Sequence, residues 1–141
     1  GPAGYALHWQ IARNMDDDRD AAVDALLVLA ARGQLDGRLL AGQLQALIRD
    51  GRSSPRRVVD GLRAAARTGA YATVWSVLEA ALPALLRGTP VRDAGAFLAV
   101  AVECASRCAA KGVIPEVEAV AARTGSSQTV KHARLLRDVL R

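Results

Sequence analysis

The chain has 141 residues, which suits one compact domain or a short array of repeats. Ala and Leu contribute 29 and 18 residues, whereas aromatic residues make up only 4% of the chain. Ala and Leu favour helices, and the residues that favour strands are scarce apart from fourteen Val, so an all-β fold is excluded. A hydrophobic content of 51% also excludes a wholly disordered chain.

The net charge of +5 is unevenly distributed along the chain. Residues 1–50 contain five basic and seven acidic residues, whereas residues 51–141 contain fourteen basic and seven acidic residues. Seventeen of the nineteen basic residues are Arg. The excess of basic residues in residues 51–141 is compatible with an acidic protein partner or with nucleic acid. A solvated surface encoded by a GC-rich genome, which makes Arg and Ala common, is the simpler interpretation.

The first residues of the chain and its hydropathy indicate its domain organisation and its location in the cell. Gly1-Pro2 is typical of the remnant of a cleaved purification tag, so we expect residues 3–141 to form one domain, the C-terminal part of a larger protein. No apolar run approaches the roughly 20 residues of a membrane span, and no signal peptide is visible. We therefore expect a cytoplasmic protein with no membrane partner.

Apolar residues recur at helical spacing through most of the chain and predict an all-α fold. Pro55 marks a first helical position, and Ser126 or Ser127 is expected to cap the last helix. The short connections predict antiparallel hairpins. The predicted helices span 4–14, 17–32, 37–50, 55–68, 70–87, 91–111, 115–123 and 127–140. The glycines expected in the left-handed conformation after these helices are Gly33, Gly51, Gly69, Gly88, Gly112 and Gly125.

The spacing of helix ends indicates a repeat. Gly33, Gly51 and Gly69 are 18 residues apart, which makes a helical pair of about 36 residues, and Pro83 lies inside a predicted helix. In these features the chain resembles the HEAT and armadillo family of helical repeats. The resemblance implies stacked antiparallel hairpins, a HEAT-like α-solenoid of about seven to eight helices; a generic helical bundle is the alternative. The chain is also similar to C-terminal regions of large bacterial proteins from high-GC genomes, which implies no activity.

A cluster of arginines is the candidate functional site. On a helix, Arg56, Arg63 and Arg67 lie on one stripe, with Asp60 among them. Arg56 and Arg57 occupy a first turn, where the helix dipole disfavours cations. Because local energetics do not explain this placement, we hypothesise a binding role, with an ordinary exposed helix face as the alternative. The candidate partner-binding residues are Arg52, Arg56, Arg57, Arg63 and Arg67.

Other residue patterns have structural interpretations. Cys104 and Cys108 lie four apart on one helix and are expected to be small buried side chains. Tyr71 and Trp75 are expected to anchor helix packing, and His132 has no catalytic partner at a telling spacing. The polar positions of the last helix, which suit a capping helix facing water, are Lys131, Arg134, Arg137, Asp138 and Arg141.

These patterns predict no catalytic residue, metal site or cofactor, and hence no enzyme. We expect a protein–protein interaction or scaffold module whose partner carries acidic groups. The alternative is a nucleic-acid-binding module that uses residues 51–141. A third interpretation is purely structural, in which the helices only complete a larger solenoid.

Overall fold

Helix-forming residues dominate the part of the chain that the structure describes. This computed structural model describes residues 55–88, 91–125 and 127–141, together with seven residues nearer the start of the chain. No strand occurs among these residues, which confirms the all-α prediction. Apart from those seven residues, the helices predicted before residue 55 lie outside the described part, as do Gly33 and Gly51. The five described helices are α1 (Pro55–Arg67), α2 (Tyr71–Gly88), α3 (Val91–Arg107), α4 (Pro115–Ala121) and α5 (Gln128–Leu140).

Local signals set several helix boundaries at their predicted places. α1 begins at Pro55, and Gly69 follows its end with a φ of 95°, a left-handed conformation that glycine adopts without steric cost. α5 begins after Ser127, whose Oγ accepts a hydrogen bond from the amide of Val130 at 3.3 Å. Gly88 differs from the prediction, since it is the last residue of α2 rather than the residue after it.

The end of α3 corrects the prediction that this helix continues to residue 111. α3 ends four residues earlier, and Ala109 takes the left-handed conformation with a φ of 53°. Its amide donates to the carbonyl of Ser106 at 3.4 Å, and the amide of Ala110 donates to the carbonyl of Ala105 at 2.9 Å. These two hydrogen bonds form a Schellman motif. Gly112, with a φ of 142°, lies further along the connection to α4.

The described helices pack in two rows. In one row α3 lies between α1 and α5, and in the other α2 packs against α4. The rows are joined where α2 contacts α1 and α3, and where α4 contacts α5. All of these extensive contacts connect helices that are neighbours, or next but one, along the chain.

α3 and α5 run in the same direction, with their backbones close together at one end. A Cβ built on Gly95, near the start of α3, would lie 3.0 Å from Oγ1 of Thr129, near the start of α5. At the other end the amide of Gly112 donates to the carbonyl of Leu140 at 3.1 Å. Because Gly95 has no side chain, α5 approaches α3 closely and Thr129 is buried.

The core is one apolar cluster built from all five helices. Phe97 and Leu98 of α3 are fully buried and belong to this cluster together with residues from the other four helices. Small side chains lie among the large ones and let helices approach. The largest fully buried residues are Leu62, Leu78, Leu82, Phe97, Leu98 and Leu136, and the buried alanines of the cluster are Ala66, Ala81, Ala101, Ala105, Ala121 and Ala133.

Candidate functional site

α1 separates apolar and charged residues on different sides of the helix. Val58, Val59, Leu62 and Ala66 are buried in the core. Its charged side carries four of the five arginines predicted to bind a partner, together with Asp60, the single acidic residue of the helix. We call the surface formed by Arg56, Arg57, Asp60, Arg63 and Arg67 the basic face.

Asp60 forms ion pairs with two of the arginines. Its carboxylate lies 3.8 Å from Nε of Arg56 and 3.3 Å from Nη1 of Arg63. The side chains of Arg56, Asp60 and Arg63 are 82%, 46% and 35% exposed, so water screens both ion pairs. Exposed pairs of this kind contribute about 0.2–1 kcal/mol each, so another anion can displace Asp60 at little cost.

The remaining arginines of the basic face differ in their position on the helix. Arg67 is exposed in the last turn, where the dipole favours a cation, and has no ionic partner among the described residues. Arg57 is also exposed, but it lies about 100° round the helix from Arg56. Its position in the first turn is disfavoured by about 0.3–1 kcal/mol. Arg52, the fifth predicted binding residue, lies outside the described residues.

Two cations of the basic half, residues 51–141, hydrogen-bond to the backbone instead of facing only solvent. Arg134 is half-buried, and its Nε donates to the carbonyl of Ala121 at 2.9 Å. Its Nη2 donates to the carbonyl of Arg123, so this one side chain caps the end of α4. Nζ of Lys111 donates to the carbonyl of Arg141 at 3.0 Å. Arg134 therefore does more than occupy a polar position on the last helix, because it also stabilises a neighbouring helix end.

Ion pairs engage further arginines. Nη1 of Arg87 lies 2.6 Å from Oε1 of Glu116 and connects the end of α2 with the start of α4. Asp138 pairs with Arg137 at 3.2 Å and with Arg141 at 3.9 Å, all on or beside α5. Much of the positive charge of residues 51–141 therefore has partners within the fold. The sequence contains no local signal for the Arg87 pair, because its partner is 29 residues away.

The aromatic residues of α2 lie where packing was expected. Trp75 is buried, which confirms its role in the core. Tyr71 is half-buried, and the guanidinium carbon of Arg107 lies 5.6 Å from the centre of its ring. This cation–π contact joins the start of α2 to the end of α3. It also shows that α2 and α3 run antiparallel, as the predicted hairpin requires.

Both cysteines are free thiols on or next to α3. Cys104 is buried, as predicted, whereas Cys108 is only half-buried. Burial, with a smaller effect from the negative charge of Glu103, raises the pKa of Cys104 to about 11. The Cys104 thiol is therefore protonated at neutral pH, which makes it a poor nucleophile and metal ligand.

Potential metal ligands and long apolar helices are the remaining features to consider in the described part of the chain. No three His, Cys, Asp or Glu side chains are grouped there so as to hold a metal ion. Nδ1 of His132 lies 2.8 Å from the carbonyl oxygen of Gln128, one turn earlier in α5. None of the described helices has the length and apolar character needed to cross a membrane.

Comparisons of the chain with protein-family models, with curated proteins and with solved structures find no match.

Proposed function

We propose that the chain is a non-catalytic protein-binding module built from stacked helical hairpins, organised like HEAT and armadillo repeats. The two rows of helices support this proposal. In a solenoid each helix packs against its hairpin partner and against the equivalent helix of the next hairpin, so contacts stay between near neighbours along the chain. The described helices follow this rule. α3 and α5 pack against each other and run in the same direction, as equivalent helices of successive repeats would.

The basic face is the proposed binding surface, and an acidic protein segment is the proposed partner. One observation carries this choice: Arg56, Arg63 and Arg67 lie on one stripe of α1 with a single, weakly held acid, whereas Arg134 donates hydrogen bonds to the backbone and Arg87 joins two helices. The distance along the axis from Arg56 to Arg67 is about 16 Å. Guanidinium groups bind carboxylates through paired hydrogen bonds, so a segment with several Asp or Glu matches this surface.

Charge reversal at matched positions tests the proposal. The triple variant Arg56→Glu, Arg63→Glu, Arg67→Glu removes the stripe of the basic face. The control Arg123→Glu, Lys131→Glu, Arg141→Glu makes the same change in net charge at exposed positions just after α4, on α5 and just after α5. The probe is a fluorescent poly-glutamate peptide of about ten residues, and binding is measured by anisotropy at about 50 mM salt.

We expect the triple variant to weaken peptide binding at least about tenfold and the control to weaken it less than about threefold, because only the first removes direct contacts. Circular dichroism should show unchanged helicity in both proteins. Equal weakening by the two variants would mean that net charge alone attracts the peptide, and the basic face would then not be the site.

Nucleic acid is the alternative partner, favoured by the net charge of +7 carried by residues 51–141. The same assay with single-stranded and duplex oligonucleotides at about 50 and 200 mM salt separates the two proposals. Tighter binding of an oligonucleotide than of poly-glutamate, with a steep loss at the higher salt, would replace the protein proposal. Binding of neither probe at the lower salt would leave a purely structural role within a larger solenoid.

A further inference from the structure

Asp60 has a position on the basic face that helix stability does not explain. It is the only acid of α1, and its carboxylate contacts Arg56 and Arg63 from between them. Both ion pairs are exposed enough for solvent to weaken them. The attachment of α1 to the core depends on its buried apolar residues instead. The two ion pairs therefore affect the availability of the arginines more than they affect the fold.

A carboxylate attached to the same helix is always close to these guanidinium groups. Its effective concentration at the site is on the order of millimolar or higher, so it competes with any carboxylate that arrives from solution. A partner with a single acidic group must displace Asp60, so it exchanges one carboxylate–guanidinium contact for another and gains little affinity. A partner with several acidic groups also reaches Arg67, whose position on the axis is about 6 Å from that of Arg63 and which Asp60 does not contact in the described structure.

Given the proposed binding of acidic segments, we propose that Asp60 is an intramolecular competitor for the partner's carboxylates. It occupies Arg56 and Arg63 in the free protein and must be displaced when the partner binds. The basic face thereby favours segments with clustered Asp or Glu over isolated acids.

Asp138 provides a matched control. It also pairs with two arginines, Arg137 of α5 at 3.2 Å and Arg141, just after α5, at 3.9 Å. Asp60→Asn and Asp138→Asn each keep the size of the side chain and each raise the net charge by one. The two variants therefore make the same change of charge and release different arginines.

The experiment measures the affinity of the full chain and of both variants for the fluorescent poly-glutamate peptide. We expect Asp60→Asn to tighten binding about fivefold, which corresponds to the loss of two exposed competing ion pairs. Asp138→Asn should tighten it less than about twofold through long-range charge. In an Arg56→Gln, Arg63→Gln background the effect of Asp60→Asn should fall to that of Asp138→Asn.

Each outcome is informative. Equal tightening by Asp60→Asn and Asp138→Asn, with the wild-type protein binding the peptide, would overturn the competitor role and leave the proposed function intact. Absence of peptide binding by both the wild-type protein and Asp60→Asn would overturn the proposed function itself. Tightening by Asp60→Asn that persists without Arg56 and Arg63 would also overturn the competitor role, because the released arginines would not be the cause.

Discussion

Replacement of Ala109 with Gly should stabilise the protein although it removes a methyl group. Ala109 closes the turn after α3 with a φ of 53°, and its side chain is exposed. The left-handed conformation costs an L-residue about 1–2 kcal/mol that glycine avoids. The greater freedom of glycine in the unfolded chain reduces this gain by about 0.4–1 kcal/mol. We therefore expect the free energy of unfolding to rise by about 0.5–1 kcal/mol.

Two matched substitutions separate backbone conformation from side-chain loss. Gly69 has a φ of 95°, and no atom lies within 4 Å of a Cβ built there, so Gly69→Ala tests backbone strain alone. We expect it to lower the free energy of unfolding by about 1 kcal/mol. Ala80→Gly removes an exposed methyl from the interior of α2 and should also cost about 1 kcal/mol, because glycine is a poor helix former.

Urea unfolding followed by far-ultraviolet circular dichroism measures all three variants. Ala109→Gly should raise the midpoint, Gly69→Ala and Ala80→Gly should lower it, and the slope of the transition should stay unchanged. A midpoint that falls for Ala109→Gly as it does for Ala80→Gly would refute the Schellman turn at Ala109. The helix would then continue past Arg107 as the sequence pattern predicts.

Three further predictions concern the core and the helix ends. Gly95→Ala should lower the melting temperature because the new Cβ would press on Oγ1 of Thr129. In a Thr129→Ala background the same substitution should instead stabilise α3 by up to about 1 kcal/mol. If its effect on stability has the same sign in both backgrounds, the close contact is refuted. Arg134→Ala should cost about 1.5–3 kcal/mol in urea unfolding because it uncaps α4, and a loss below about 0.5 kcal/mol would show that the cap is unimportant. Cys104 should contribute stability fully below pH 9.0 and lose it as pH rises through about 11, because the folded state holds a proton that the unfolded state releases. The loss should reach about 3 kcal/mol and should be absent in Cys104→Ala but retained in Cys108→Ala.

Helix boundaries can be predicted from the sequence where the residues that determine them are local. Pro55 marks the start of α1 because its ring fixes φ at a helical value, and Gly69 follows the end of α1 because glycine tolerates a positive φ. Ser127 caps α5 through a hydrogen bond to a residue only three positions away. Ala109 carries no such signal, since alanine is the strongest helix former and normally continues a helix. The tertiary fold overrides that preference, so the predicted end of α3 at residue 111 was wrong.

Contacts between distant residues explain the other differences. From the sequence alone, Gly95 is only a poor helix former. Its role in allowing α5 to approach α3 becomes visible only when the two helices are placed together. Arg134 has the spacing of an exposed residue, yet it caps a helix that ends thirteen residues earlier. The stripe of Arg56, Arg63 and Arg67 could be predicted because helical periodicity alone determines it.

A two-dimensional NMR titration of isotope-labelled protein with the poly-glutamate peptide tests the basic face most directly. We predict the largest chemical-shift changes at the backbone amides of α1 and at the Nε–H signals of Arg56 and Arg63 as Asp60 is displaced. Signals of Lys131 and Arg141 should change little at the same peptide concentration. Larger changes at those two residues than along α1, or uniformly small changes over the whole chain at saturation, would contradict a partner-binding role for the basic face.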